Sequence, residues 1–369
     1  MRRRGLSRRR TIVAVLVPLV AALVLGPRPT FEERWREAEL PGSQATGEGA
    51  DGAAMSALAR HIAEAEARVP RLRPGDQREI VWADAEAPAP TPVSLVYLHG
   101  FSADRHEVEP VVTRIGRELD ANVYFTRLTG HGRDGAAMAE ATAVEWLDDT
   151  AEAVAIGGRI GDRVVLVGTS TGGTLATWAA MRAETRGRVD AVVLISPNYQ
   201  PKDPSSRLLL WPWGGVLARL VVGKERCFQA ENEEQERHWT TCYPTAALLP
   251  MMALVEHVRT SALGGWEVPV LLVYSPDDEV VDASETERVL AELPEDMLRV
   301  HQVDETGDPA HHVLAGDVLS PETNEELSGV VVSFVRDAWG LAGARYAGTA
   351  LPASGAGFPW AVRFPPRTG

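Results

Sequence analysis

The sequence predicts an α/β protein: a mostly parallel central sheet covered on both faces by helices. Two observations carry this. From about residue 79 to 339, short apolar runs of strand length alternate with helical patterns, the signature of strands joined by helical crossovers. Within that alternation the run Val164-Val165-Leu166-Val167 ends abruptly in Gly168-Thr169-Ser170-Thr171-Gly172, and a helical pattern starts at once. A strand therefore feeds a tight turn and then a helix. Small residues at 168 and 172 suit a turn whose Ser backbone is strained and crowded, and the strain lifts the Ser170 hydroxyl above the strand end.

The remaining elements follow in order. Residues 54–69 have helical spacing, 79–82 can be a first strand, and the Ala- and Pro-rich stretch 85–92 is a loop. Strands are expected at 93–98, 122–126, 163–167, 189–195, 268–274 and 298–303. Helices are expected at 106–119, 143–160, 284–293 and 321–339. The stretch 197–264 breaks the alternation. It is too long for a structureless loop and contains helical stretches without a strong strand, so it reads as a small helical cap. The main domain is thus placed at 54–345, with the cap inside it. Residues 346–369, rich in Gly, Ala and Pro, form a flexible tail.

The N-terminus has a different character. Six arginines lie within the first ten residues, followed by the uncharged run 11–25. As a helix that run spans roughly 22 Å, short of a roughly 30 Å hydrocarbon core and also typical of signal peptides. Pro27 disfavours cleavage after Gly26, so residues 1–26 read as an uncleaved membrane anchor, with a cleaved signal and secretion as the alternative. The basic flank stays in the cytoplasm and the rest is exported. Residues 27–53 read as a flexible linker. Setting the six arginines aside from the net charge of −14 leaves −20 on the remainder. Such an acidic body excludes nucleic acid as a natural partner.

Ser170 needs a base, and the base needs an orienting acid. The strand 268–274 runs into Ser275-Pro276-Asp277-Asp278-Glu279-Val280-Val281, so Asp277 and Asp278 both lie past a parallel strand, on the sheet edge that carries Ser170. The next strand leads to His311-His312-Val313-Leu314, which offers two candidate bases. Adjacent histidines point apart and no third ligand at metal spacing accompanies them, so a metal site is not indicated. His99 reads as a core histidine bonded to backbone.

With these residues in hand, the chain over about 79–339 resembles an α/β hydrolase of the monoacylglycerol-lipase, carboxylesterase and serine-aminopeptidase-like group. The resemblance rests on four motifs in the family's order. They are His99-Gly100-Phe101 after the first buried strand, the Gly-x-Ser-x-Gly at 168–172, Asp278 followed by x-Val-Val, and His312 followed by Val-Leu. Gly130-His131-Gly132 matches a further family loop that shapes the site. The resemblance implies the α/β-hydrolase fold and a triad of Ser170, Asp278 and His312, with Asp277 and His311 as rivals. It also implies an oxyanion hole from the N–H groups of Phe101 and Thr171. The implied reaction is acyl transfer through an acyl-enzyme, with no cofactor.

The expected activity is hydrolysis of small-molecule or lipid carboxylic esters, acylglycerols among them. A serine aminopeptidase or amidase is the neighbouring alternative, and a catalytically idle, membrane-tethered binding protein is the distant one. The cap carries unusually apolar stretches at 208–213 and 216–222, which either pack it onto the body or meet an acyl chain or membrane interface. The acidic run 231–236 is expected to be a solvated helix face. The two cysteines, Cys227 and Cys242, both lie in the cap, where a helical hairpin could join them in a disulfide outside the cytoplasm; two unpaired buried thiols are the alternative.

Overall fold

The computed structural model describes residues 25–41, 50–263 and 265–339. The expected anchor, apart from its last two residues, and the tail at 346–369 lie outside the described residues. Among the described residues no helix is long and apolar enough to cross a membrane.

In chain order the elements are α1 (Ala50–Glu66), β1 (Glu79–Val81), β2 (Ser94–Leu98), α2 (Glu109–Glu118) and β3 (Asn122–Phe125). Next come α3 (Gly135–Glu140), α4 (Ala143–Ile160), β4 (Val164–Thr169), α5 (Thr171–Met181) and β5 (Ala191–Ile195). The insertion follows with α6 (Gly214–Val221), β6 (Glu225–Cys227), α7 (Glu233–His238), β7 (Cys242–Pro244) and α8 (Leu248–Thr260). The chain returns to the sheet with β8 (Val270–Tyr274), α9 (Ala283–Leu290), β9 (Leu298–Gln302) and α10 (Asn324–Ala338).

Seven strands form one sheet in the order β1-β3-β2-β4-β5-β8-β9. Only β1 runs antiparallel, at the edge against β3; every other pairing is parallel. Because strand side chains alternate between faces, each central strand divides its apolar residues between two cores. Val96 and Leu98 of β2, with Leu166 of β4, face a core shared with α1, α4, α5, α8 and α9, while Leu95, Tyr97 and Val165 face one built with α2 and α10. Strands buried on both faces explain the near-continuous apolar runs. Helix α4 starts at a capping box, in which the Thr142 hydroxyl accepts from the Glu145 N–H and the Glu145 carboxylate accepts from the Thr142 N–H.

Helix α5 lacks a polar stripe because every residue from Thr171 to Ala179 is buried. Part of its cover comes from residues 27–41, within the stretch expected to be a flexible linker. That segment is laid on the body: Glu33 accepts from Trp178 Nε1 at 2.6 Å and pairs with Arg182 at 2.7 Å, and the Trp35 ring stacks on Trp178 at 5.7 Å. Arg34 reaches Asp148 at 2.7 Å. Its charges and aromatic rings find partners on the folded domain, a property that local composition does not reveal.

The insertion between β5 and β8 differs from a purely helical cap. It contains a two-stranded antiparallel ladder, β6 against β7, in which Cys227 sits directly opposite Cys242. The two cysteines are bridged, and a strand pair rather than a helical hairpin brings them together. Each strand is three residues long, mostly exposed and without an apolar run, which leaves no pattern to register as a strand. At its end, α8 buries Met252, Leu254, Val255 and Val258 in the same core as the sheet, so it serves as the crossover helix of the body.

The bridge closes a loop between residues separated by 15 positions in an insertion with little core of its own. Its removal should cost about 3 kcal/mol of cap stability. Alkylation without reductant should add no mass, and a Cys227→Ser, Cys242→Ser variant should melt earlier by calorimetry. An unchanged melting profile would show that the bridge constrains nothing.

Candidate active site

Ser170 is the residue between β4 and α5, and its backbone lies at φ 53°, ψ −117°. A non-glycine residue in that region is strained, and persists only where its surroundings hold it. Here they do so from both sides. The Ser170 N–H donates to the Ile195 carbonyl at 2.9 Å, and the Ser170 carbonyl accepts from Asn198 at 3.0 Å and Thr174 at 3.2 Å. The flanking glycines are required by space. A Cβ on Gly168 would strike the Gly172 carbonyl, and a Cβ on Gly172 would strike the carbonyls of Leu98 and His99. The Ser170 turn and the turn after β2 are therefore in backbone contact.

That second turn carries His99, Gly100 and Phe101. His99 is buried and accepts from the Leu128 N–H at Nε2, 3.0 Å away. Its proton therefore sits on Nδ1, which donates to the Gly100 carbonyl at 2.9 Å. Burial lowers the His99 pKa to about 4, which keeps the ring neutral. His99 is the backbone-bonded core histidine expected of it. Gly100 is held from the other side, donating to Glu107 Oε2 at 2.8 Å, and the Tyr97 hydroxyl donates to the same oxygen at 2.8 Å. Glu107 is fully buried, and burial raises its pKa despite these donors. Gly100 thus lies between the Glu107 carboxyl group and the Ser170 side chain, and a methyl group there would press on both.

Thr171 is the first residue of α5, where a helix leaves N–H groups unpaired. Phe101 lines the cavity beside Ser170. Its ring meets Tyr243 of the cap and His131 of the Gly130-His131-Gly132 loop edge-on, at 5.3 and 5.8 Å.

The structure distinguishes the rival acids and bases. Asp277 is exposed, whereas Asp278 is buried and accepts from His312 Nδ1 at 2.8 Å. The other oxygen of Asp278 accepts from the Val280 and Val281 N–H groups, each at 2.8 Å. This explains the motif: the Asp-x-Val-Val turn folds back on its own carboxylate and leaves one oxygen for the imidazole. His311 makes no such contact. It sits at φ 52°, which places it in the turn that aims its neighbour. Burial alone would lower the His312 pKa, but the charge and hydrogen bond of Asp278 outweigh it and the net direction is upward.

Two residues escaped the sequence reading. Glu107 has no motif of its own, being one of many acids on a helical pattern. Asp308 is the other. Its carboxylate accepts from the backbone N–H groups of Ala310, His312 and Val313 at 2.8–3.1 Å, and so fixes the loop that presents His312. The sequence Gly307-Asp308-Pro309 marks a turn, but nothing local reveals three N–H groups converging on one side chain.

Ser170 and His312 open onto a common cavity of about 490 Å³. Its floor is the sheet edge, and its outer wall is the cap, through Leu208, Leu217 and Val221 among others. Val221 remains 76% exposed while lining the cavity, so the cap's apolar side chains are a lip more than a packing surface.

Residues 90–307 match the family model described as serine aminopeptidase, S33. No curated protein matches the chain in sequence. Among solved structures, one reported for LipS and LipT, two metagenome-derived lipolytic enzymes, is 20% identical with a TM-score of 0.59, covering 72% of this chain and 99% of that one. The monoacylglycerol lipase of Paleococcus ferrophilus is 17% identical with a TM-score of 0.53, covering 71% and 98%. A soluble variant of the Saccharomyces cerevisiae monoglyceride lipase, in complex with a substrate analogue, is 11% identical with a TM-score of 0.54, covering 73% and 96%. At these identities the structural likeness is one of fold. The family match spans more than half of the chain, from the start of β2 to the turn before His312, and the chain belongs to the serine aminopeptidase S33 family of α/β hydrolases.

Proposed function

We propose that the protein is a serine hydrolase that cleaves carboxylic esters bearing an apolar acyl chain, with Ser170 as nucleophile. The observation that carries this reading is the meeting of a strained Ser170 and an Asp278-paired His312 on one apolar-walled cavity. The lipolytic names borne by the structural neighbours support an acylglycerol or similar lipid ester as the substrate class.

In this reading the residues act as follows. Asp278 accepts a hydrogen bond from the His312 Nδ1–H, which stays on the ring and leaves Nε2 with a lone pair to take the Ser170 proton. Ser170 Oγ attacks the ester carbonyl, and the oxyanion forms where the Phe101 and Thr171 N–H groups can hold it. Such donors typically contribute about 3 kcal/mol each. His312 returns its proton to the leaving alkoxide. A water, deprotonated by the same imidazole, then opens the acyl-enzyme. The exposed apolar residues of the cap, Leu220 and Val221 foremost, offer the acyl chain a path from a lipid phase to Ser170. The Cys227–Cys242 bridge supports export to an oxidising compartment.

The family's aminopeptidase name motivates one competing substrate. Glu231 and Glu279 line the cavity and could hold a substrate ammonium group. A panel of p-nitrophenyl esters of rising chain length beside aminoacyl p-nitroanilides separates the two. Ester hydrolysis should dominate and rise with chain length; preference for the aminoacyl amides would overturn the ester reading.

Ser170→Ala should lower ester hydrolysis by at least about a hundredfold while leaving the fold intact. A fluorophosphonate probe should label the wild type and not the variant. Labelling that persists would place the nucleophile elsewhere.

The pH profile follows from the upward shift of His312. The base works only when neutral, so activity should rise with pH through a value above the ordinary imidazole pKa of about 6.5. Glu107 contributes to that shift by favouring the charged imidazole. Glu107→Gln should therefore move the acid limb of kcat/KM to lower pH. An unmoved limb would show that Glu107 acts only as a hydrogen-bond acceptor for Gly100.

A further inference from the structure

Away from Ser170, on the seam between cap and body, four side chains from separate stretches of chain converge: Asp76, Asp104, His106 and His238. Each offers one donor atom, and the four atoms lie within 4.8 Å of one another. Asp76, Asp104 and His238 are buried. His238 is the last residue of the cap helix α7, while the others belong to the body. We propose that this cluster is a tetrahedral site for a divalent transition metal, zinc in the first instance, that fastens the cap to the turn carrying Phe101.

Three independent features support it. The first is spacing. His106 Nδ1 lies 2.9 Å from Asp104 Oδ1 and 3.9 Å from Asp76 Oδ1, and His238 Nδ1 lies 3.1 Å from Asp76 Oδ1 and 3.3 Å from Asp104 Oδ2. A tetrahedron with bonds of about 2.0 Å has edges of roughly 3.3 Å, close to the three shorter separations, and Asp104, which offers Oδ1 to His106 and Oδ2 to His238, would bind through one of its two oxygens. The second is the outer shell. Both imidazoles present Nδ1 to the cluster and turn Nε2 to another carboxylate, His106 to Glu109 at 3.6 Å and His238 to Glu234 at 3.9 Å. These are ion-pair distances rather than hydrogen bonds, and Glu109 and Glu234 also pair with Arg105 and Arg237, but carboxylates behind metal-bound histidines are a usual means of orienting the ring and raising its basicity. The third is the distribution of charge. Arg73 binds Asp76 Oδ2 at 2.6 Å and stands 3.9 Å from Asp104 Oδ2, which leaves Asp76 Oδ1 to face the histidines and leaves the two buried carboxylates with one negative charge that Arg73 does not offset. Two nitrogen and two oxygen donors in this arrangement suit zinc better than calcium or magnesium.

The placement ties the site to the cavity without joining it. Asp104 is two residues from Ser102, whose carbonyl accepts from the Thr240 N–H at 2.7 Å, and Thr240 is two residues from His238. Arg73 also donates to the carbonyls of His238 and Trp239, at 2.7 and 3.2 Å. A metal there would hold the cap and the Phe101 turn at a fixed distance.

The test uses the full-length protein, stripped with a chelator and titrated with Zn²⁺ against a chromophoric competitor, and in parallel with Co²⁺. One equivalent of zinc should bind, Co²⁺ should give the intense visible bands of tetrahedral coordination, and thermal unfolding should shift upward on loading. His238→Ala should weaken zinc binding by at least about a hundredfold, since loss of outer-shell partners alone costs up to that much. Ser170→Ala should bind as the wild type does. Failure of the wild-type protein to take up stoichiometric zinc or cobalt would overturn the proposal and leave the cluster as a proton-bridged latch. An octahedral cobalt spectrum, or zinc binding that His238→Ala leaves unchanged, would overturn it equally.

Discussion

The structure depends on a steric constraint at Gly172. The helix after Ser170 begins so close to the end of β2 that a single methyl group at position 172 would meet the carbonyl oxygens of Leu98 and His99. Removing that methyl group lets the two turns touch, and the contact sets where the Phe101 turn stands relative to Ser170. The strain at Ser170 is held by hydrogen bonds to Ile195, Asn198 and Thr174, which belong to β5, the chain beyond it and α5. A position outside the favoured regions costs of order 1–3 kcal/mol and is tolerated because three neighbouring elements share in holding it.

The same sheet edge gathers four buried ionisable groups, and each is held by backbone. Asp278 spends one oxygen on two N–H groups and one on His312. Asp308 spends both oxygens on the His312 loop, Glu107 takes the Gly100 N–H, and His99 bridges Leu128 to Gly100. Backbone donors cost no side-chain entropy to fix and are already rigid, so they set side-chain positions more firmly than surface ion pairs could. Their arrangement sorts the groups by charge. His99 is kept neutral by burial, whereas the Asp278 carboxylate draws His312 toward its charged form.

How much of this was legible in the sequence depended on whether the cause was local. Strands buried on both faces write themselves as apolar runs, and β2, β3, β4, β5 and β8 fall where those runs are, while the partly buried edge strands β1 and β9 fall where shorter strand patterns were expected. The Asp-x-Val-Val turn is local too, because the carboxylate and the N–H groups it accepts lie within three residues, and this is the short motif on which the family resemblance pointed to Asp278 rather than Asp277. Glu107 and Asp308 act through contacts with turns that look ordinary in isolation. The strands β6 and β7 are three residues each, below the length at which alternation can be counted. The segment 27–41 has a linker's composition, yet Glu33 and Trp35 meet Trp178, far along the chain. The cluster of Asp76, Asp104, His106 and His238 was invisible for the same reason, since its members span the cap and the body and only His106 and Asp104 are near neighbours.

The two sides of the cap divide its work. Its inner seam is polar and tied down: Arg73 binds the C-terminal carbonyls of α7, His238 lies against Asp76 and Asp104, and Trp239 packs with Ala103, Val313 and Leu319. That small apolar cluster joins the Phe101 turn, the cap and the His312 loop in one contact. The outer lip is apolar and untied, with Trp211, Leu220 and Val221 each more than half exposed. A cap fixed along one side and open along the other cannot admit substrate through the seam without breaking buried charge pairs. Entry along the lip breaks none, and it exchanges exposed apolar surface for contact with substrate, at roughly 25 cal/mol for each Å² removed from water. For the apolar ester proposed above, the asymmetry makes the lip the cheaper way in, by the difference in cost between the two edges of the same cap.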